Sequence, residues 1–171
     1  FEQVGLVFIE PELRENKGEI EAGQKGRLPE LIERGDIRGD LHMHTKRTDG
    51  AYTEKQMAEA AKDLGYEYIG ITDHTKRVTV AGGLSPRELR EQLEQIDKVN
   101  DKLKGITILK GSEVDILDDG SLDLPDEVLK ELDFTVCSVH YKLNVPRDKQ
   151  TERIIKAMDN RYFNILAHPT G

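Results

Sequence analysis

Two rhythms of apolar residues run along this chain, and where each falls predicts an element. Met57, Ala60, Ala61 and Leu64 recur at i, i+3, i+4 and i+7, the period of a helix with one buried stripe. Thr53 followed by Gln56 makes a capping box at its start, and Gly65 ends it. The short apolar run Tyr68–Thr72 then reads as a strand. The cycle repeats with Ser85-Pro86 and Glu88 opening a helix whose stripe is Leu89, Leu93, Ile96 and Leu103, followed by a strand at Ile106–Leu109. Pro125 opens a shorter helix through Leu132, Phe134–Val139 is a strand, Arg153–Met158 is helical, and Asn164–Ala167 is a strand. With Ile37–Leu41 these make five strands alternating with helices. Such alternation implies a mainly parallel sheet with right-handed crossovers, open or closed into a barrel. Residues 1–35 show no sustained period and are rich in charge and glycine, which predicts a linker or peripheral arm ahead of a domain at 36–171.

Composition narrows the possibilities. The 171 residues and 36% hydrophobic content suit one ordinary domain. No apolar run is long enough to cross a membrane and no secretory leader opens the chain, so the expectation is a cytoplasmic protein without a membrane partner. A net charge of −8 argues against a surface that coats nucleic acid all over, and 5% aromatic residues with no Trp argue against a base-stacking platform. The lone Cys137 lies in an apolar run and reads as a small buried hydrophobe.

The histidines change the picture most. His42 and His44 follow the first predicted strand, His74 the second, His140 the fourth and His168 the fifth, and Glu113 follows the third. The C-terminal edge of a parallel sheet is where loops converge to build sites. An isolated histidine is more often structural, but all five sharing one topological position is poorly explained that way. In an extended segment residues i and i+2 face the same side, so His42 and His44 can reach one metal. Asp49, on the Asp49-Gly50 turn, adds a carboxylate. Glu113 follows an apolar strand, where an unpaired carboxylate is expensive and a metal is one of the few partners that makes it favourable. Mixed imidazole and carboxylate ligands suit Zn, Mn or Fe rather than Ca, and with no cysteine pair for a structural zinc they point to catalytic metals.

His42-Met43-His44-Thr45, Asp49-Gly50, Thr72-Asp73-His74, Gly111-Ser112-Glu113, Ser138-Val139-His140 and Ala167-His168-Pro169 resemble, in order, the motifs of the PHP (polymerase and histidinol phosphatase) superfamily. The resemblance runs from Ile37 to Gly171. It implies a distorted (β/α)7 TIM-like barrel, of which about five β/α units are expected here, holding two or three divalent metals. It implies catalytic roles for His42, His44, Glu113 and His140, a metal shell completed by Asp49, His74 and His168, and Asp73 as an orienter behind a histidine. The family's last Asp-x-His pair is not found before Gly171, so the ligand set is expected to be incomplete.

Pro11-Glu12-Leu13-Arg14, Gly18-Glu19-Ile20-Glu21, the junction Asp36–His42, Asp119–Asp123 and His168-Pro169-Thr170-Gly171 are similar to the region that follows the polymerase portion of bacterial and archaeal family X DNA polymerases. That similarity implies an upstream polymerase domain as neighbour, and DNA 3′ ends and repair intermediates as substrates. The activities implied are 3′→5′ exonuclease and 3′-phosphatase, with abasic-site incision as a further one. Lys46, Arg47, Lys76 and Arg77, just beyond the ligands, are expected to flank the site and bind substrate phosphate; Lys142 and Arg147 follow the fourth strand in the same way. Two alternatives stand beside this reading: a small-molecule phosphatase of the histidinol-phosphate type with the same metals, and a non-catalytic module that keeps the fold.

Overall fold

The computed structural model describes Phe1, Gln3 and residues 5–170; Gly171, which ends the last motif, lies outside them. Two compact units are present, Phe1–Asp36 and Ile37–Gly171. In the first, 3-10 turns at Pro11–Leu13 and Arg34–Asp36 flank helix α1, Glu19–Gln24. Arg14 ties the arm locally, donating from Nε to the Ile9 carbonyl at 3.0 Å with its guanidinium over the rings of Phe1 and Phe8. The arm thus carries more local order than its lack of period predicts.

The second unit alternates strands and helices: β1 Gly39–Met43, α2 Glu54–Asp63, β2 Tyr68–Ile71, α3 Pro86–Asn100, β3 Thr107–Lys110, β4 Glu113–Asp115, α4 Asp126–Leu129, β5 Val136–Ser138, α5 Arg147–Met158 and β6 Ile165–Leu166. Every strand pairing is parallel, in the orders β1-β2-β3 and β4-β5-β6. The two sheets meet where β3 bends into β4. Gly111 N–H still donates to the Ile71 carbonyl, His74 bridges Glu113 in parallel register, and Glu113 pairs Val136. One long bent strand therefore serves both sheets. The bend sits at Gly111, where a Cβ would press the Phe134 ring at 2.7 Å and the Ile71 carbonyl at 2.9 Å, so only glycine fits.

Among the described residues this corrects three expectations. Six strand segments replace five, and Glu113 opens β4 rather than closing the strand before it. β1 also starts two residues later than expected and contains His42.

Both capping boxes form. Thr53 accepts from Gln56 N–H and Ser85 from Glu88 N–H, and each glutamine or glutamate side chain returns a bond to the cap backbone. α3 buries Leu89, Gln92, Leu93, Ile96 and Val99, close to its predicted stripe, although Leu103 falls beyond its end. α2 departs further: Ala58 and Ala61 are its buried alanines, while Ala60 and Leu64 face solvent. The α2 and α3 faces close over Ile69, Ile71, Ile106 and Ile108 as one core cluster. A second cluster, under β4 and β5, gathers Leu89, Leu93, Val114, Ile116, Val128, Leu129, Cys137 and Ala157. Cys137 is wholly buried and its thiol is pushed up to about 11 by that burial, which makes it an inert packing residue. α5 begins at Arg147, earlier than its apolar period suggests, because its first turns are polar. No helix among the described residues is long and apolar enough to cross a membrane.

Candidate metal centre

Five imidazoles close around one carboxylate. Glu113 is buried, and its Oε2 lies 3.1 Å from His42 Nε2, 3.3 Å from His44 Nε2 and 3.2 Å from His74 Nδ1. Its Oε1 lies 3.2 Å from His140 Nε2 and 2.9 Å from His168 Nε2. The rings form a circuit, with centroid separations of 5.2 Å for His42–His44, 4.4 Å for His44–His74, 5.1 Å for His74–His140, 5.5 Å for His140–His168 and 6.1 Å for His168–His42. Parallel strands bring them together: each histidine lies in or just past the C-terminal end of β1, β2, β5 or β6.

Asp49 joins from the side, its Oδ1 3.4 Å from His44 Nδ1 and its Oδ2 3.4 Å from His74 Nε2. The turn that carries it is tight, because Gly50 sits directly against the His44 carbonyl where no side chain could fit. His168 holds φ +26°, a conformation uncommon for a residue with a Cβ, and such strain persists where the surroundings over-determine it.

Three overlapping groups can each offer an ion a set of ligand atoms lying within 4.8 Å of one another: His42, His44 and Glu113; His44, Asp49 and His74; His74, Glu113 and His140. The donor chemistry fits divalent transition metals. Nδ1 of His44 and Nδ1 of His74 are buried, and although a carboxylate oxygen lies 3.4 Å and 3.2 Å away neither makes a well-directed hydrogen bond, an arrangement that a metal would relieve.

Burial raises the Glu113 carboxyl, but hydrogen bonds from His140, His42, His44 and His168 outweigh it and hold the group far below the usual carboxylate range. Burial likewise lowers His74. His44 is also pressed down by burial, yet Glu113 and Asp49 carry it net upward. His140 is raised to about 9, first by Asp115 and then by Glu113.

Asp115 was not singled out by sequence. It is fully buried at the end of β4, and its Oδ1 accepts from the His140 backbone N–H at 3.1 Å and lies 3.0 Å from His140 Nδ1. That contact fixes which ring nitrogen turns to Glu113. The only signal was its place two residues after Glu113.

Asp73 is the converse case. Expected behind a histidine, its carboxylate bonds no imidazole among the described residues. Oδ1 accepts from Thr45 N–H at 2.7 Å and Thr48 Oγ1 at 2.5 Å, while Oδ2 accepts from Thr45 Oγ1 at 2.5 Å and from Gln92 Nε2. It therefore fixes the loop after His44, with buried Gln92 as a further member the sequence did not reveal.

The four predicted phosphate-binding cations divide. Arg77 stays near the cluster, its Nε 3.7 Å from Asp115 Oδ2 and its guanidinium over the Tyr141 ring. Lys76 is exposed. Arg47 is drawn aside by a 2.8 Å bond from Nε to buried Glu54, and with Lys46 it borders a different cavity. For Arg47 a buried carboxylate outcompetes solvent.

With the metal removed, the shift of His140 makes stability fall as pH rises. Its proton binds the folded chain more tightly than the unfolded one, so the contribution is complete below about 6.5 and lost as pH passes through about 9, by roughly 3 kcal/mol. Asp115→Asn should flatten that slope and weaken metal binding by about 10- to 100-fold. Urea titrations in chelator between these pH values, with metal titrations alongside, would show it; an unchanged slope would remove Asp115 from this role.

Comparison with known proteins agrees with the geometry. Residues 40–168 match the PHP domain, and the chain belongs to that family. It has the family's mixed α/β, parallel-stranded fold of distorted-barrel type. It is 44% identical over 167 residues to the DNA polymerase/3′-5′ exonuclease PolX of Bacillus subtilis (strain 168), covering 98% of this chain and 29% of that protein. It is 36% identical over 135 residues to a probable phosphatase of Thermoanaerobacter sp. (strain X514), covering 76% of this chain and 53% of that one. A crystal structure from Listeria monocytogenes, named as a candidate histidinol phosphatase, superposes with a TM-score of 0.51 at 23% identity, over 60% of this chain and 44% of that one, and supports the fold.

Proposed function

We propose that this chain is the metal-dependent phosphoesterase portion of a family X DNA polymerase and hydrolyses phosphate esters at DNA 3′ ends, as a 3′→5′ exonuclease and 3′-phosphatase in repair. The observation that carries hydrolysis is the circuit of five imidazoles around Glu113 with Asp49 beside it. Support for DNA as substrate is the likeness, along nearly the whole chain, to a protein named as a polymerase and 3′-5′ exonuclease. That likeness also supports an upstream polymerase domain as partner.

Two or three divalent ions, Zn, Mn or Fe, would supply Lewis acidity to the attacking water and to the phosphoryl oxygens. His42, His44 and Glu113 would hold one and His74, Glu113 and His140 a second, with Asp49 and His168 serving the remaining positions; the group His44, Asp49 and His74 overlaps these two and is an alternative to them, because a neutral imidazole lends one nitrogen to one ion. Asp115 holds the His140 ring, and Asp73 holds the loop that presents His44. Arg77, whose Nε lies 3.7 Å from the Asp115 carboxylate beside His140, can meet the negative charge of a bound ester. In the reaction a water oxygen loses a proton and bonds to phosphorus, the bond from phosphorus to the 3′ oxygen of the remaining strand breaks, and that oxygen takes a proton, which releases inorganic phosphate or a nucleoside 5′-monophosphate.

A cavity of about 410 Å³ beside His140 and His168, walled by Leu143, Ile154 and Leu166, gives the small-molecule reading its own footing. The two are separated by comparing Mn-loaded protein on a 3′-phosphate-ended oligonucleotide, a 3′-hydroxyl oligonucleotide and histidinol phosphate. Release from both oligonucleotides at higher kcat/KM than from histidinol phosphate is expected; preference for histidinol phosphate would overturn the DNA reading.

A further inference from the structure

Lys46 and Arg47, with α2 and the end of α3, border a cavity of about 760 Å³. Its rim carries five cations: Lys46, Arg47, Lys55, Lys98 and Lys102. Only two carboxylates, Glu54 and Glu59, oppose them. Both are already engaged, Glu54 with Arg47 at 2.8 Å and Glu59 with Lys55 at 3.4 Å. Lys46, Lys98 and Lys102 have no carboxylate within ion-pair distance among the described residues, and all three are exposed. On a chain of net charge −8, three unpaired cations around one concavity form a local field that attracts anions and is relieved by binding them.

The lining also says what kind of anion. Val99 and Leu103 contribute the apolar wall, and no aromatic side chain lines the cavity, so it offers no surface on which bases stack. It does offer several separate cations, which suits repeated phosphates better than a single one. The groove also shares a loop and a buried hydrogen-bond network with the metal centre. Lys46 follows His44 by two residues, and buried Glu54 accepts from Gln92, whose amide also donates to Asp73.

We propose that this groove binds the phosphodiester backbone of a nucleic-acid strand whose end is at the metal centre, without reading its sequence. The inference rests on the nucleic-acid reading above. Contacts confined to phosphate make binding sequence-independent and steeply salt-dependent.

The test is direct binding by the full chain, followed by fluorescence anisotropy with a labelled single strand of about 15 nucleotides. The double variant Lys98→Gln/Lys102→Gln is expected to weaken binding about tenfold at low salt and to lower the slope of log affinity against log salt by about 1.4, at roughly 0.7 per phosphate released. Lys130→Gln/Lys156→Gln, which removes the same charge elsewhere, should change affinity less than about twofold. Equal losses in the two double variants, or none in the first, would overturn the proposal. So would full competition by inorganic phosphate at the concentration of oligonucleotide phosphate, which would make the groove a single-phosphate site. Because turnover is not the readout, groove-dependent binding without 3′-end hydrolysis would count against the proposed activity alone, and hydrolysis without groove-dependent binding against the groove alone.

Discussion

Glu113→Gln is expected to remove bound metal and hydrolysis together, by more than about 100-fold, beyond the range typical of groups that only orient a ligand. The substitution keeps the volume and removes the charge. Five imidazoles now share one carboxylate, and with an amide in its place two of the three candidate ion sites lose their acid. The metal-free chain should suffer too, and the deficit should shrink only in strong acid. The depressed pKa of Glu113 gives stability that is complete above the ordinary glutamate value and lost as pH falls through the much lower folded one. At pH 6 the variant should be less stable by about 3 kcal/mol, since His44 and His140, both raised by their acidic neighbours, lose a buried counter-ion. Metal analysis, hydrolysis and urea titration on one preparation decide the matter. Lower stability with full metal content would make Glu113 a structural acid only.

Asp73→Asn should be nearly as damaging, by another route. The carboxylate is wholly buried and accepts from Thr45 N–H, Thr45 Oγ1, Thr48 Oγ1 and Gln92 Nε2, so an amide would turn a donor toward donors. The expected cost is about 3 kcal/mol, in the range for an unsatisfied buried polar group beside a broken charged bond. The loop after His44 would loosen, and metal affinity would fall by about tenfold even in conditions where the chain remains folded. Thr48→Ala, which removes one outer bond, should cost only about 1 kcal/mol. If Asp73→Asn binds metal as wild type does, the loop is held by something other than Asp73.

The histidine cluster was legible in the sequence because its cause is topological. Parallel strands joined by helices put all their C-terminal ends on one side, so the ends of β1, β2, β5 and β6 had to meet. The division of the third strand was not legible. Apolar residues flank Gly111-Ser112 on both sides, and nothing in their period shows that Ile108 pairs in one sheet and Val114 in the other. Buried polar residues were the other blind spot. Asp115 and Gln92 look like solvent-facing residues until long-range packing places them against His140 and Asp73. The same holds for Arg47, whose direction is set by Glu54 on a helix that begins seven residues later. Spacing along the chain identifies which side chains can ligate; which carboxylate each cation or imidazole finds depends on tertiary packing.

The central claim, that the ring around Glu113 holds catalytic divalent metals, is tested most directly by anomalous X-ray scattering from crystals of this chain loaded with Mn. Peaks inside the circuit of His42, His44, His74, His140 and His168, in contact with Glu113 and absent from Glu113→Gln crystals, are the expected result. Ordered Mn elsewhere on the chain with none inside the circuit would contradict it.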